Sequence, residues 1–143
     1  MFKKISLQIF FILCFGKLYD QNFKLETGSI YHEEKPTVTV TDFTGYIATY
    51  PISMRLNINE KSNGDVTYSG YYYYNKVGTK IQLSGSWMMR PGTATYIELN
   101  EIVNGRYTGS FSLLPKTFRD YSTLTGNWFG NGKSLKVKLT KLN

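Results

Sequence analysis

One cysteine and one histidine stand in 143 residues. A single histidine rules out a multi-histidine metal site within one chain, and any Ser-His-Asp triad would have to use His32. Glu33 and Glu34 beside it sit in a polar stretch before Pro36, which reads as a solvated loop. A lone cysteine, Cys14, excludes an intrachain disulfide and a thiolate metal cluster. No Gly-x-Ser-x-Gly elbow and no phosphate-cradling loop occurs. No window carries a convincing helical period, although one helical turn fits within residues 115–122. Acidic residues are few: 10 against 17 Lys and Arg, a net charge of +7. The excess is spread along the chain, so it suits an anionic surface, acidic glycan or acidic protein better than nucleic acid.

Aromatics are plentiful instead. They make up 16% of the chain, with 12 Tyr, 9 Phe and 2 Trp, beside 13 Gly. That balance leans towards strands and turns and against disorder. The length suits one domain, large enough to fold without a disulfide or metal.

Met1-Phe2-Lys3-Lys4 followed by the apolar residues 5–15 has the form of a secretory leader, with small residues around Cys14-Phe15-Gly16 for cleavage. The apolar run is too short to span a bilayer, which takes about 20 residues, so no transmembrane helix is expected in the mature chain. The leader is assigned to residues 1–16, with cleavage as late as residue 20, and the domain to residues 21–143. Cys14 leaves with the leader; lipidation of Cys14 is the alternative, disfavoured by the bulky Ile12 and Leu13 before it. The protein is therefore expected outside the cytoplasm, secreted or periplasmic.

Period-two alternation then runs to the end of the chain. Ile52, Met54, Leu56 and Ile58 alternate with polar residues, and Asn63-Gly64 marks a turn. Residues 66–74 form a strand ending in four tyrosines. Ile81, Leu83, Gly85, Trp87 and Met89 share a face, as do Ile97 and Leu99 in residues 94–103. Asn104-Gly105 is a tight hairpin. Tyr107, Gly109, Phe111 and Leu113 are expected on one face, residues 115–122 as a longer connection, then Leu124, Gly126 and Trp128, and finally Leu135, Val137 and Leu139. Upstream, residues 37–41 and 46–50 are weaker strands, and 30–32 a fragment of another. Consecutive strands with short links make an all-β, antiparallel up-and-down meander, and about eight strands remove their edges by closing into a barrel.

A [Ser/Thr]-Gly-x-aromatic step recurs around Gly70, Gly85, Gly109 and Gly126. Its spacing is too irregular for a solenoid. It suits a coiled sheet in which glycine lets the strand bend.

The succession Gly-x-Tyr-Tyr, Ile-x-Leu-x-Gly, Ile-x-Leu-x-Glu, Gly-x-Phe and Leu-x-Gly-x-Trp over residues 66–139 resembles exported, mostly uncharacterised bacterial β-meander domains, and its rhythm is similar to avidin and lipocalin barrels. That resemblance implies a binding barrel without cofactor, and it carries no biotin or lipid residue set. Ser69-Gly70-Tyr71-Tyr72-Tyr73 also resembles the Ser-Gly-x-x-Tyr pattern of periplasmic lysozyme inhibitors, which would make Ser69 and Tyr73 protein contacts; the rest of that family's pattern is absent.

The expected activity is non-catalytic binding of a small molecule inside the barrel. Its candidate ligand residues are Tyr71, Tyr73, Trp87 and Trp128. Alternation puts Tyr72 and Tyr74 on one face and Tyr71 and Tyr73 on the other, one pair belonging to the core. A cavity of about 300 Å³ or more at one end would favour a ligand, and a filled interior would disfavour it. The alternative is a protein-binding envelope module or inhibitor using exposed tyrosines. An enzyme trails both. Glu98 and Glu101, three apart on a strand, face opposite sides and cannot pair. With triad, metal and nucleotide motifs missing, a carboxylate-based glycosidase is the one enzyme class left open. Lys133, Lys136, Lys138 and Lys141 form a basic end. Lys136 and Lys138 share one face, for edge protection or contact with an anionic surface.

Overall fold

A computed structural model describes residues 35–143, apart from Arg90 and Thr93. The leader, Cys14, His32 and the strand fragment at 30–32 lie outside the described residues. Eight strands follow one another: β1 (Thr37–Ile47), β2 (Tyr50–Glu60), β3 (Val66–Tyr74), β4 (Ile81–Met88), β5 (Tyr96–Val103), β6 (Arg106–Thr117), β7 (Asp120–Gly130) and β8 (Lys133–Lys141). Each pairs antiparallel with the next, and β8 returns to β1, so the meander closes into a barrel.

The predicted alternation sets inside from outside. Ile52, Met54, Leu56 and Ile58 of β2 are all buried, and so are Tyr68 and Tyr72 of β3, Ile97 and Leu99 of β5, Phe111 and Leu113 of β6, and Val137 and Leu139 of β8. Outward positions carry Arg55, Gln82, Glu98, Lys136 and Lys138. Apolar-in and polar-out is the inverse of a lipid-facing barrel. No helix among the described residues is long and apolar enough to cross a membrane.

Two turns repeat one device. Asn104-Gly105 and Asn131-Gly132 hold positive φ at both residues (49° and 73°; 50° and 70°), the twist-matched two-residue hairpin geometry. The [Ser/Thr]-Gly-x-aromatic glycines occupy points of close strand approach. A Cβ on Gly70, Gly85 or Gly126 would overlap the carbonyl oxygen of Arg55, Glu98 or Ser112 on the facing strand. The repeat is thus the coiling device of the barrel.

The structure redraws two boundaries and one facing. Residues 37–47 are one strand, and the segment at 46–50 contains the β1–β2 turn at Ala48 and Thr49, with Ala48 at φ 52°. Residues 115–122 hold neither a long connection nor a helical turn: β6 runs to Thr117, β7 starts at Asp120, and Phe118 and Arg119 make the turn. Tyr107 does not join Gly109 inside. Glu101 pairs with Gly109 but Ile102 with Tyr107, so Thr108 is an extra bulged residue and Tyr107 is turned out, 76% exposed.

Candidate functional site

The bulge at Thr108 builds the most polar spot in the interior. Glu101 is one of two buried polar side chains among the described residues, the other being Thr41. The Tyr72 hydroxyl and the Trp128 indole N–H both donate to Glu101 Oε1, and Thr108 Oγ1 donates to Oε2 at 3.1 Å. Gly109 leaves the carboxyl its room, since a Cβ there would lie 2.7 Å from Oε2. Gly130 does the same for the indole ring of Trp128. Tyr72 packs edge-on against Phe111 and Tyr74, at 5.1 and 5.7 Å between ring centroids. Burial, and then the hydrogen bond to Glu101, push the Tyr72 hydroxyl far above the ordinary tyrosine range. A carboxyl with three donors, sealed among rings, ties β3, β5, β6 and β7 together. Three donors take up most of its acceptor positions, and at 4% exposure it is presented to the fold rather than to a substrate.

At the other end of the barrel Tyr68 and Tyr121 share a hydrogen bond at 3.0 Å. Burial raises both hydroxyls. Nearby, Trp87 meets Phe118 edge-on at 5.6 Å. A hollow of about 310 Å³ opens here, lined by Trp87, Pro115, Lys116 and Phe118 among others. It shares Ala94 and Leu114 as lining with a larger hollow of about 530 Å³. The larger one lies on the outer face of β5, β6 and β7. Tyr96 and Phe129 border it, with Glu98, Ser110, Ser112 and Asn127 between them. Glu98 pairs across to Ser112, and Ser112 to Asn127, so strand register alone sets a row of a carboxylate, a hydroxyl and an amide. Short serines on β6 between larger side chains make the depression.

The predicted ligand residues do not form one set. Trp87 and Trp128 both point inward but stand at opposite ends, Trp87 on the smaller hollow and Trp128 on Glu101. Tyr71 and Tyr73 lie on the outer face of β3 with Ser69, opposite in direction to the buried Tyr72. The Lys80 ammonium lies 4.3 Å from the centre of the Tyr71 ring. Next to them Arg55 holds Asp42 through two hydrogen bonds of 2.6 and 2.8 Å. The pairing of Arg55 holds the Asp42 carboxyl below its ordinary range. Lys136 and Lys138 are exposed on β8. Among the described residues no three His, Cys, Asp or Glu side chains gather as metal ligands would.

Glu98 and Glu101 face opposite sides, as their spacing requires, but the buried role of Glu101 was not read from sequence. The signal was its in-phase position with Ile97 and Leu99, where a carboxylate needs donors. The outer hollow was also missed, since Ser110, Ser112 and Asn127 look like ordinary solvent-facing strand residues. Comparison with protein-family models, curated proteins and solved structures returns no match.

Proposed function

We propose that this chain is an exported, non-catalytic binding protein that takes a neutral saccharide in the two neighbouring hollows on either side of Leu114. The observation that carries this reading is the composition of those hollows. Each is bordered by an aromatic pair, Tyr96 with Phe129 and Trp87 with Phe118, and the larger holds short hydrogen-bonding side chains between its rings. Aromatic faces suit the C–H face of a sugar ring, while Glu98, Ser112 and Asn127 suit its hydroxyls. Glu98 disfavours an anionic ligand there. The secretory leader and the avidin- and lipocalin-like rhythm support an extracytoplasmic binding role.

The barrel interior is the natural ligand site of such barrels. In this chain it is filled by the chain's own rings and aliphatic groups: Tyr72, Phe43 and Phe111 are each about fully buried beside Leu56, Leu99 and Leu113. The binding role therefore moves to the hollows. The non-catalytic reading rests on Glu101 being engaged by three donors and on the barrel wall separating it from Glu98.

Titration calorimetry with cello-, chito- and xylotetraose tests the proposal. Binding of at least one, weakened tenfold or more by Phe129→Ala and by Trp87→Ala, is the expected result. No heat with any of them, or binding indifferent to both substitutions, rejects it. A second reading, a protein-binding or lysozyme-inhibitor-like module, is favoured by Ser69, Tyr71 and Tyr73 sharing one outer face. Lysozyme inhibition and partner recovery from an envelope extract, each with wild type and the Tyr71→Ala/Tyr73→Ala variant, test it. A flat inhibition curve together with equal recovery rejects it.

A further inference from the structure

The barrel closes over only part of β1. Residues 43–47 pair with β8, and the Leu142 N–H donates to the Asp42 carbonyl at 2.8 Å just beyond them. From residue 37 to 41, β1 pairs with β2 on one side, and among the described residues nothing pairs with its other side. This segment reads Thr37-Val38-Thr39-Val40-Thr41, the same forwards and backwards. It is all β-branched and carries no charge. Val38 and Val40 are 58% and 57% exposed.

The ladder fixes which backbone groups are free. In an antiparallel sheet, alternate residues direct both N–H and C=O to the same neighbour. Asp42 addresses β8 through the Leu142 bond, and Ala48 does so by donating to the Lys136 carbonyl at 2.7 Å. Register with β2 is unbroken along β1, so Val38 and Val40 fall in the same phase and direct their N–H and C=O groups to the open side. Thr37, Thr39 and Thr41 direct theirs to β2.

We propose that this edge binds a second copy of the chain, pairing antiparallel about a two-fold axis through Thr39. In that register Val38 of each copy faces Val40 of the other, and each such pair exchanges both backbone bonds. Shifting the axis to Val38 would set Val40 against Pro36, which has no N–H. Shifting it to Val40 would set Val38 against Asp42, whose carbonyl Leu142 already holds. Only the Thr39-centred pairing uses all the free groups and no occupied one. The palindrome makes it isologous, as a two-fold interface must be. Charge agrees: the paired segment carries no charged side chain, so no like charges meet across the axis. The exposed valines add cross-strand contacts on the outer face. The ladder is short, so the dimer is weak and concentration-dependent.

Sedimentation velocity of the full chain across a concentration series tests this. The wild type is expected to shift from monomer to dimer, and Val40→Pro to remain monomeric with an unchanged melting temperature, because that N–H is not used within the barrel. A disulfide trap reads the register separately. In a Cys14→Ser background, Thr39→Cys places two thiols opposite each other at a non-hydrogen-bonded pair, about 4.5 Å between Cα atoms, within disulfide range. Val38→Cys sets its two thiols apart, each opposite a Val40. A covalent dimer from Thr39→Cys and not from Val38→Cys supports the proposal. A monomer at every concentration, a Val40→Pro variant that still dimerises, or equal trapping at both positions overturns it.

Discussion

At one end of the barrel Glu101 draws Tyr72, Trp128 and Thr108 together, and the Asn104-Gly105 and Asn131-Gly132 turns close the strands tightly around them. At the other end Trp87 and Phe118 stand over an open hollow, and β1 extends past its partner on the β8 side. The same alternating strands run through both. The difference lies in what fills the inward positions and in how the strands are joined. At the first end the interior carboxyl is buried and held by three donors, so it serves the fold. At the second end, rings and polar groups meet across a depression that the packing does not fill. In this barrel the buried carboxyl sits inside the wall at one end, while the proposed saccharide hollows lie at the other end and along the outer face of β5, β6 and β7.

Substitutions at the Glu101 end have the largest expected effect. Glu101→Ala leaves the Tyr72 hydroxyl and the Trp128 N–H without their acceptor, and urea unfolding should show a loss of about 3–5 kcal/mol. Loss of less than 1 kcal/mol would remove the contrast between the ends. Gly126→Ala comes next. A Cβ that overlaps the Ser112 carbonyl forces the strands apart, costing about 2–3 kcal/mol by the same assay. Phe129→Ala, on the outer hollow, is expected to change stability by under about 1 kcal/mol while weakening saccharide binding, separating fold from recognition.

Alkaline pH gives a subtler comparison. Tyr68 and Tyr72, one at each end, are kept neutral by burial. The stability this supplies is fully present below pH 10.0, the ordinary tyrosine value, and is lost as pH rises above it. Ultraviolet difference absorbance should show exposed tyrosines ionising first and the remainder only as the barrel unfolds. The smallest effect is at Asp42. Its carboxyl is held below its ordinary range by Arg55, so its contribution is present above pH 3.8 and is lost as pH falls through the lowered folded value. Asp42→Asn should flatten only that acid limb of the melting-temperature profile.

Much of the barrel was legible in its residues. Ile52 to Ile58 declared an inner face by strict alternation, and the Asn63-Gly64 and Asn104-Gly105 signals marked true turns between consecutive strands. Closure followed from the number of strands. The bulge at Thr108 was not legible, because one extra residue leaves no mark in a period-two pattern, and it reversed the side of Tyr107; a second register shift, between Pro115 and Thr117, was equally silent. The sites were harder for a related reason. Tyr71 and Tyr73 attract attention as aromatics, yet alternation next to the buried Tyr72 puts them on an outer wall. The groove instead depends on short side chains, Ser110 and Ser112, whose smallness matters only beside Phe129 and Tyr96 on neighbouring strands. Such a depression is a property of register between strands far apart in sequence.

The two tryptophans, Trp87 and Trp128, mark the two ends and make one spectrum decisive. Proton–nitrogen correlation spectra during titration with the tetrasaccharide bound most tightly should move the Trp87 indole signal and the amides of Ser112, Asn127 and Phe129, leaving the Trp128 indole in place. Movement of the Trp128 indole with the amide of Glu101, and stillness at Trp87, would contradict the division of labour between the ends.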